Sequence, residues 1–102
     1  MATDRAIGLI ETRGVVALSA GIEAMLKSAD VQCVAIERVA SGYFAVGVQG
    51  SLAAVRQAVE AGKAAVQQHG EVRSAEIFAK PHDEAIAHLD KSFGERLTSG
   101  AA

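Results

Sequence analysis

Hydrophobic residues along this chain recur at every second position, then at steps of three and four, then switch back, and the order of these switches leaves few folds open. In residues 5–10 (Arg-Ala-Ile-Gly-Leu-Ile) large and small side chains alternate as in a short strand, with Ile7 and Leu9 on one face and Ala6, Gly8 and Ile10 on the other. Glu11-Thr12-Arg13-Gly14 breaks the pattern, and Thr12 is placed to cap a following helix. Val15, Leu18, Ile22 and Met25 then recur at helical spacing, while Ser19, Glu23 and Lys27 fall on another face. Residues 31–39 alternate again, Val34 and Ile36 against Cys33 and Ala35. After the turn at Ala40-Ser41-Gly42, residues 43–49 set Phe44, Val46 and Val48 against Tyr43, Ala45, Gly47 and Gln49. Two strands joined by so short a turn form an antiparallel hairpin. Ser51 caps a second helix, whose apolar stripe is Leu52, Val55, Val59, Gly62 and Val66 and which stops at His69-Gly70. Residues 72–78 make a fourth strand, Pro81 starts a short helix through about Leu89, and residues 91–102 read as a flexible tail.

The order β-α-β-β-α-β-α places the chain in the α+β class. It is the split βαβ arrangement of a ferredoxin-like fold, an antiparallel sheet with two helices on one face and a short helix at the C-terminus. The helices are expected to cover the face that carries Ile7, Leu9, Val34, Ile36, Phe44, Val46 and Val48. The other face, with Ala6, Gly8, Cys33, Ala35, Ala45 and Gly47, is small and weakly polar. A solvated face carries more Lys, Glu and Thr. Either a second polypeptide or a thin layer from the chain's own last helix would suit it.

Composition sharpens that question. Half of the 102 residues are apolar, yet aromatics make up only 4%, Trp is absent, and much of the apolar total is alanine. A chain this short buries a modest core, and alanine adds little transfer free energy to it. A lone subunit is therefore expected to be marginal, and partner subunits that bind only the folded form would supply the missing burial.

Several function classes are disfavoured at this stage. The net charge of −2 offers no broad basic field for nucleic acid. The single cysteine, Cys33, excludes an intrachain disulfide and, on a strand without an activating neighbour, reads as a packing residue rather than a nucleophile. His69, His82 and His88 lack metal-ligand spacing, so no metal or cofactor is expected. Gly47 to Gly50 is not followed by the Lys-Ser or Lys-Thr pair of a phosphate loop. No apolar run reaches the roughly 18 residues of a membrane span. With no signal pattern behind Met-Ala-Thr-Asp-Arg, the expected compartment is the cytoplasm.

Five segments, in order, carry a resemblance. Ala-Ile-Gly-Leu-Ile-Glu-Thr-Arg-Gly-Val-Val-Ala (6–17), Ala-Met-Leu-Lys-Ser-Ala-Asp-Val (24–31), Glu-Arg-Val-Ala-Ser-Gly (37–42), the helix segment 49–65 and Lys-Pro-His (80–82) together resemble bacterial microcompartment shell proteins of the hexamer-forming, metabolosome type. The likeness runs from residue 6 to about 90, which makes residues 3–90 the shell domain and 91–102 the tail.

The resemblance implies a fold, an assembly and three sites. Members form flat homohexamers that tile with other hexamers, trimers and pentamers into a shell around enzymes, and they are not enzymes themselves. Six copies of one loop line a pore for small polar metabolites. Here that loop is Val39-Ala40-Ser41-Gly42, flanked by Arg38, and Ala40 stands where the family commonly has glycine. Read alone, the loop is an ordinary hairpin turn. The resemblance also implies a hexamer–hexamer edge at Lys27, Asp30, Lys80, Pro81 and His82, with Asp30 in place of the common asparagine and Lys80 in place of arginine. Without the resemblance, Lys27 reads as an i,i+4 partner of Glu23. A third cluster, Glu11, Thr12, Arg13 and Gly14, reads as a subunit contact or as a capped helix start with solvated charges. The competing function is a regulatory domain that binds a small molecule between subunits, and fold alone does not separate the two.

Overall fold

Each change of hydrophobic period in the sequence becomes a change of element in the computed structural model, which describes residues 5–79. Strand β1 spans Ala6–Arg13, helix α1 Val15–Ser28, β2 Gln32–Arg38, β3 Tyr43–Gly50, α2 Leu52–His69 and β4 Val72–Phe78. A single 3-10 turn, Ala40–Gly42, joins β2 to β3. The helix expected from Pro81 and the tail expected from residue 91 lie outside the described residues.

The four strands form one antiparallel sheet in the order β2-β3-β1-β4, the order of the ferredoxin-like fold. Both helices pack on one face. The core between sheet and helices holds Ala6, Ile10, Leu18, Met25, Val31, Val46, Val48, Val55, Ala58 and Val59. The cap of α2 is as expected: the Ala54 N–H donates to Ser51 Oγ at 3.1 Å. At its other end the Gly70 N–H closes on the Val66 carbonyl at 2.8 Å.

The face assignment of β1 is reversed from the sequence expectation. A Cβ placed on Gly8 would stand 2.6 Å from Val59 Cγ2 and 2.9 Å from Val55 Cγ1, so Gly8 faces α2. Ala6, Gly8 and Ile10 therefore point to the helices, and Ile7 and Leu9 point away, where they are still only 7% and 4% exposed. The small residues of β1 are not a bare outer surface. They are the recess that lets α2 approach the sheet, and large residues there would hold it off.

The edge strand β2 departs as well. Val34 and Ile36 were expected under the helices but are 49% and 52% exposed. A register shift between Cys33 and Ala35 breaks the strict alternation of β2, which among the described strands is an edge paired with β3 alone. Cys33, read as a packing residue, is exposed on the same strand.

Candidate functional site

The turn between β2 and β3 is held in a conformation that its sequence makes costly. Ser41 has φ 68° and Gly42 φ 78°, both left-handed; glycine adopts this region freely, whereas serine does so at a penalty. Two backbone bonds fix it. The Val39 N–H donates to the Tyr43 carbonyl at 2.7 Å, closing the turn, and the Gly14 N–H donates to the Gly42 carbonyl at 3.0 Å, tying it to the start of α1. Ser41 and Gly42 are exposed, Val39 is half-buried, and Arg38 ends β2 exposed and opposite Phe44.

The Glu11–Gly14 segment is thus part of the same place in the fold. It does not interrupt the strand, as the sequence suggested: β1 continues through Arg13. Nor does Thr12 cap α1. Gly14 occupies the cap position with φ 92° and no side-chain bond, while the buried Thr12 hydroxyl donates to the Glu71 carbonyl at 2.9 Å, joining β1 to the residue before β4. Glu11 is also buried, 6% exposed, with Arg73 Nε 3.9 Å from its Oε2.

Three residues that the sequence reading did not single out complete the cluster: Tyr43, Glu71 and Arg73. Tyr43 pairs with Arg13 across the β1–β3 ladder. Its hydroxyl donates to Glu71 Oε1 at 2.9 Å. The Arg73 guanidinium lies 4.7 Å and that of Arg13 5.7 Å from the centre of its ring, both within cation–π range. An open hollow of about 300 Å³ beside it is lined by Arg13, Gly70 and Glu71. The one sequence signal for this cluster is that the chain's single tyrosine directly follows the turn.

Lys27 and Asp30 lie elsewhere. Both are exposed near the C-terminal end of α1, about 20 Å along the helix from Gly14 at 1.5 Å per residue. Lys27 Nζ bonds Glu23 Oε1 at 2.7 Å. That hydrogen bond, and secondarily the charge attraction, holds the Glu23 carboxyl below its usual value and the Lys27 ammonium above its own. Lys80, Pro81 and His82 fall outside the described residues. Among the described residues, no group of three or more His, Cys, Asp or Glu could hold a metal ion, and no helix is long and apolar enough to cross a membrane.

The sheet order, the turn and the cluster behind it are the frame onto which a family model for the BMC domain aligns, over residues 6–81. The chain belongs to the BMC domain family. It is 37% identical over 90 residues to the bacterial microcompartment shell protein PduA of Salmonella typhimurium, covering 88% of this chain and 96% of that one. It is 42% identical over 77 residues to the bacterial microcompartment shell protein EutM of Escherichia coli, covering 76% and 79%. The carboxysome assembly protein CcmO of Synechococcus elongatus is 40% identical over 84 residues, which span 82% of this chain but 30% of CcmO. Among solved structures, a microcompartment protein from Desulfitobacterium hafniense superposes with a TM-score of 0.70 at 31% identity, over 78% of this chain and 43% of that one.

Proposed function

We infer that this BMC-domain chain is a structural shell protein of a bacterial microcompartment in the cytoplasm, not an enzyme. Six copies close a ring, the turn at residues 38–42 lines its central opening, and rings join edge to edge through Lys27 and Asp30 with Lys80, Pro81 and His82. The ring works alongside other shell proteins and the enclosed enzymes.

The observation that carries this reading is the unfinished edge of the single chain. Val34 and Ile36 are exposed on an edge strand whose outer side, among the described residues, has no strand beside it. Val15 and Val16 are each 64% exposed next to Gly14. Such surface is left uncovered where a second chain normally covers it. The Ser41 hydroxyl and the glycine beside it give the turn a polar, low-bulk surface. Six copies around an axis would offer hydrogen bonds to small polar solutes, the terms on which pores select. Arg38 at the foot of the turn would favour anionic solutes.

The test is the mass of the full chain in solution, followed by negative-stain microscopy. The expected result is a particle near six times 10.5 kDa that associates further into sheets or tubes. A stable monomer or dimer across a wide range of concentration would overturn the reading and favour the regulatory-domain alternative.

A further inference from the structure

We propose that Tyr43 is the positioning residue of the 38–42 turn: its ring, in cation–π contact with Arg13 and Arg73 and tied to Glu71, fixes where Ser41 is held. The proposal rests on the pore reading only for its consequence; the clamp itself is a property of the single chain.

The turn is short of ways to hold itself. Ser41 and Gly42 are exposed, both in the left-handed region, and one backbone bond, from Val39 N–H to the carbonyl of Tyr43, closes the turn. A second bond, from the Gly14 N–H to the Gly42 carbonyl at 3.0 Å, ties the turn to the residue after Arg13, so the turn is placed by Tyr43 and by its ladder partner Arg13 together. Tyr43 is itself held by three side chains. Arg73 of β4 packs on its ring at 4.7 Å, Arg13 of β1 lies at 5.7 Å, and Glu71 accepts its phenol proton at 2.9 Å. The groups that hold it are braced in turn. Arg73 reaches the buried Glu11, and the Glu71 backbone carbonyl accepts from both Thr12 Oγ1, at 2.9 Å, and the Arg13 N–H, at 3.3 Å. The clamp thus links the turn to β1 and to the lead-in of β4, across two strand junctions. A leucine in its place would keep the strand and lose both the cation–π contacts and the phenol bond.

The chain offers its own probe, because Tyr43 is the only tyrosine and Trp is absent. The experiment uses the full chain in its assembled state and compares wild type with Tyr43→Leu, Tyr43→Phe and Glu71→Gln. Amide hydrogen exchange is read at Val39 and Gly14, whose N–H groups hold the turn, with Val55 to Val66 of α2 as the internal control. In Tyr43→Leu the Val39 and Gly14 amides should exchange about tenfold faster while α2 is unchanged. Tyr43→Phe, which keeps the ring and its contacts with both arginines, should restore most of the protection. Glu71→Gln should raise tyrosine emission, since an ionised carboxylate hydrogen-bonded to the phenol quenches it.

Unchanged exchange at Val39 and Gly14 in Tyr43→Leu overturns the proposal. So does a Tyr43→Phe variant as loose as Tyr43→Leu. Should Tyr43→Leu fail to assemble, Arg73→Gln, which removes the nearer guanidinium from the ring, decides alone: faster Val39 exchange supports the clamp, and unchanged exchange overturns it. Solute flux through the ring is a separate readout. Loosened amides with unaltered flux leave the clamp standing and count against the pore.

Discussion

Gly62 of α2 lies directly against Met25 of α1: a Cβ at Gly62 would stand 2.7 Å from Met25 Cγ and 2.9 Å from Ile10 Cδ1. The same close approach recurs at Gly21, where a Cβ would meet Val66 Cγ2 at 2.7 Å. Two glycines, one on each helix, therefore set how near the helices pack to each other. Gly62→Ala gains helix propensity, about 1 kcal/mol, but forces Met25 and Ile10 aside, which costs about 1–3 kcal/mol. The expected outcome is a net loss of about 1 kcal/mol, read by urea denaturation at fixed protein concentration, with the mass of the proposed ring unchanged.

Ser51 caps α2 through the bond it accepts from the Ala54 N–H. Ser51→Ala should cost about 1 kcal/mol in the same urea titration, and Ser51→Asp should retain most of the stability. An equal loss in both variants would show that the cap is not what Ser51 contributes.

Thr12 makes a different kind of bond, from β1 to the Glu71 carbonyl. Thr12→Val keeps the shape and the strand preference but leaves that carbonyl short of one donor. A loss of about 1 kcal/mol is expected. Because Thr12 does not cap α1, the amides of the first turn of α1 should exchange as in wild type.

Ser41 pays for its left-handed backbone, so the turn tolerates some replacements better than others. Ser41→Gly should hold or slightly raise stability, whereas Gly42→Val should cost about 1–2 kcal/mol. Ser41→Leu puts bulk at the proposed opening. Solute flux through assembled shells should fall while ring mass stays the same, and flux equal to wild type would remove Ser41 from the constriction.

The Lys27–Glu23 pair is fully exposed, so it adds little to folding, but it occupies the ammonium that the proposed edge needs. Glu23 is held below its usual value, so the pair is intact above the ordinary carboxylate range and is lost as the pH falls through that lowered value. Lys27, held above its usual value, releases its proton only as the pH rises past that raised value. Between those limits the Lys27–Glu23 pair itself gives sheet formation no pH dependence, so any change near neutral pH would come from His82 of the proposed edge. Glu23→Gln should free Lys27 and promote sheets at neutral pH without shifting the melting temperature. Lys27→Ala should leave rings that no longer form ordered sheets under the electron microscope.

Element order and most boundaries were legible because period switching survives in a sequence even when individual residues are unremarkable. The residues of β4 and the stripe of α2 lie where the pattern puts them. What misled was size. On β1 the larger residues were assigned to the helices, but a helix packed closely against a sheet needs recesses, and Gly8 supplies one. Alternation in β2 was legible, yet the register shift after Cys33 and the edge position depend on pairing that no local pattern encodes. The family motifs located the turn at 38–42 and the junction at 11–14 as separate sites. Their union through the Gly14–Gly42 bond, and the place of Tyr43, Glu71 and Arg73 behind them, arises from residues far apart in the chain. Only the folded sheet brings those together.

The open flank of β2 also sets a timetable for the cell. A newly made subunit carries its exposed valine and isoleucine into a crowded solvent, where any stray strand could latch on. Closure with identical neighbours into the proposed ring competes with that capture, and its advantage grows with local supply. Clustered synthesis should therefore favour orderly rings, and scattered, slow production should favour clumps.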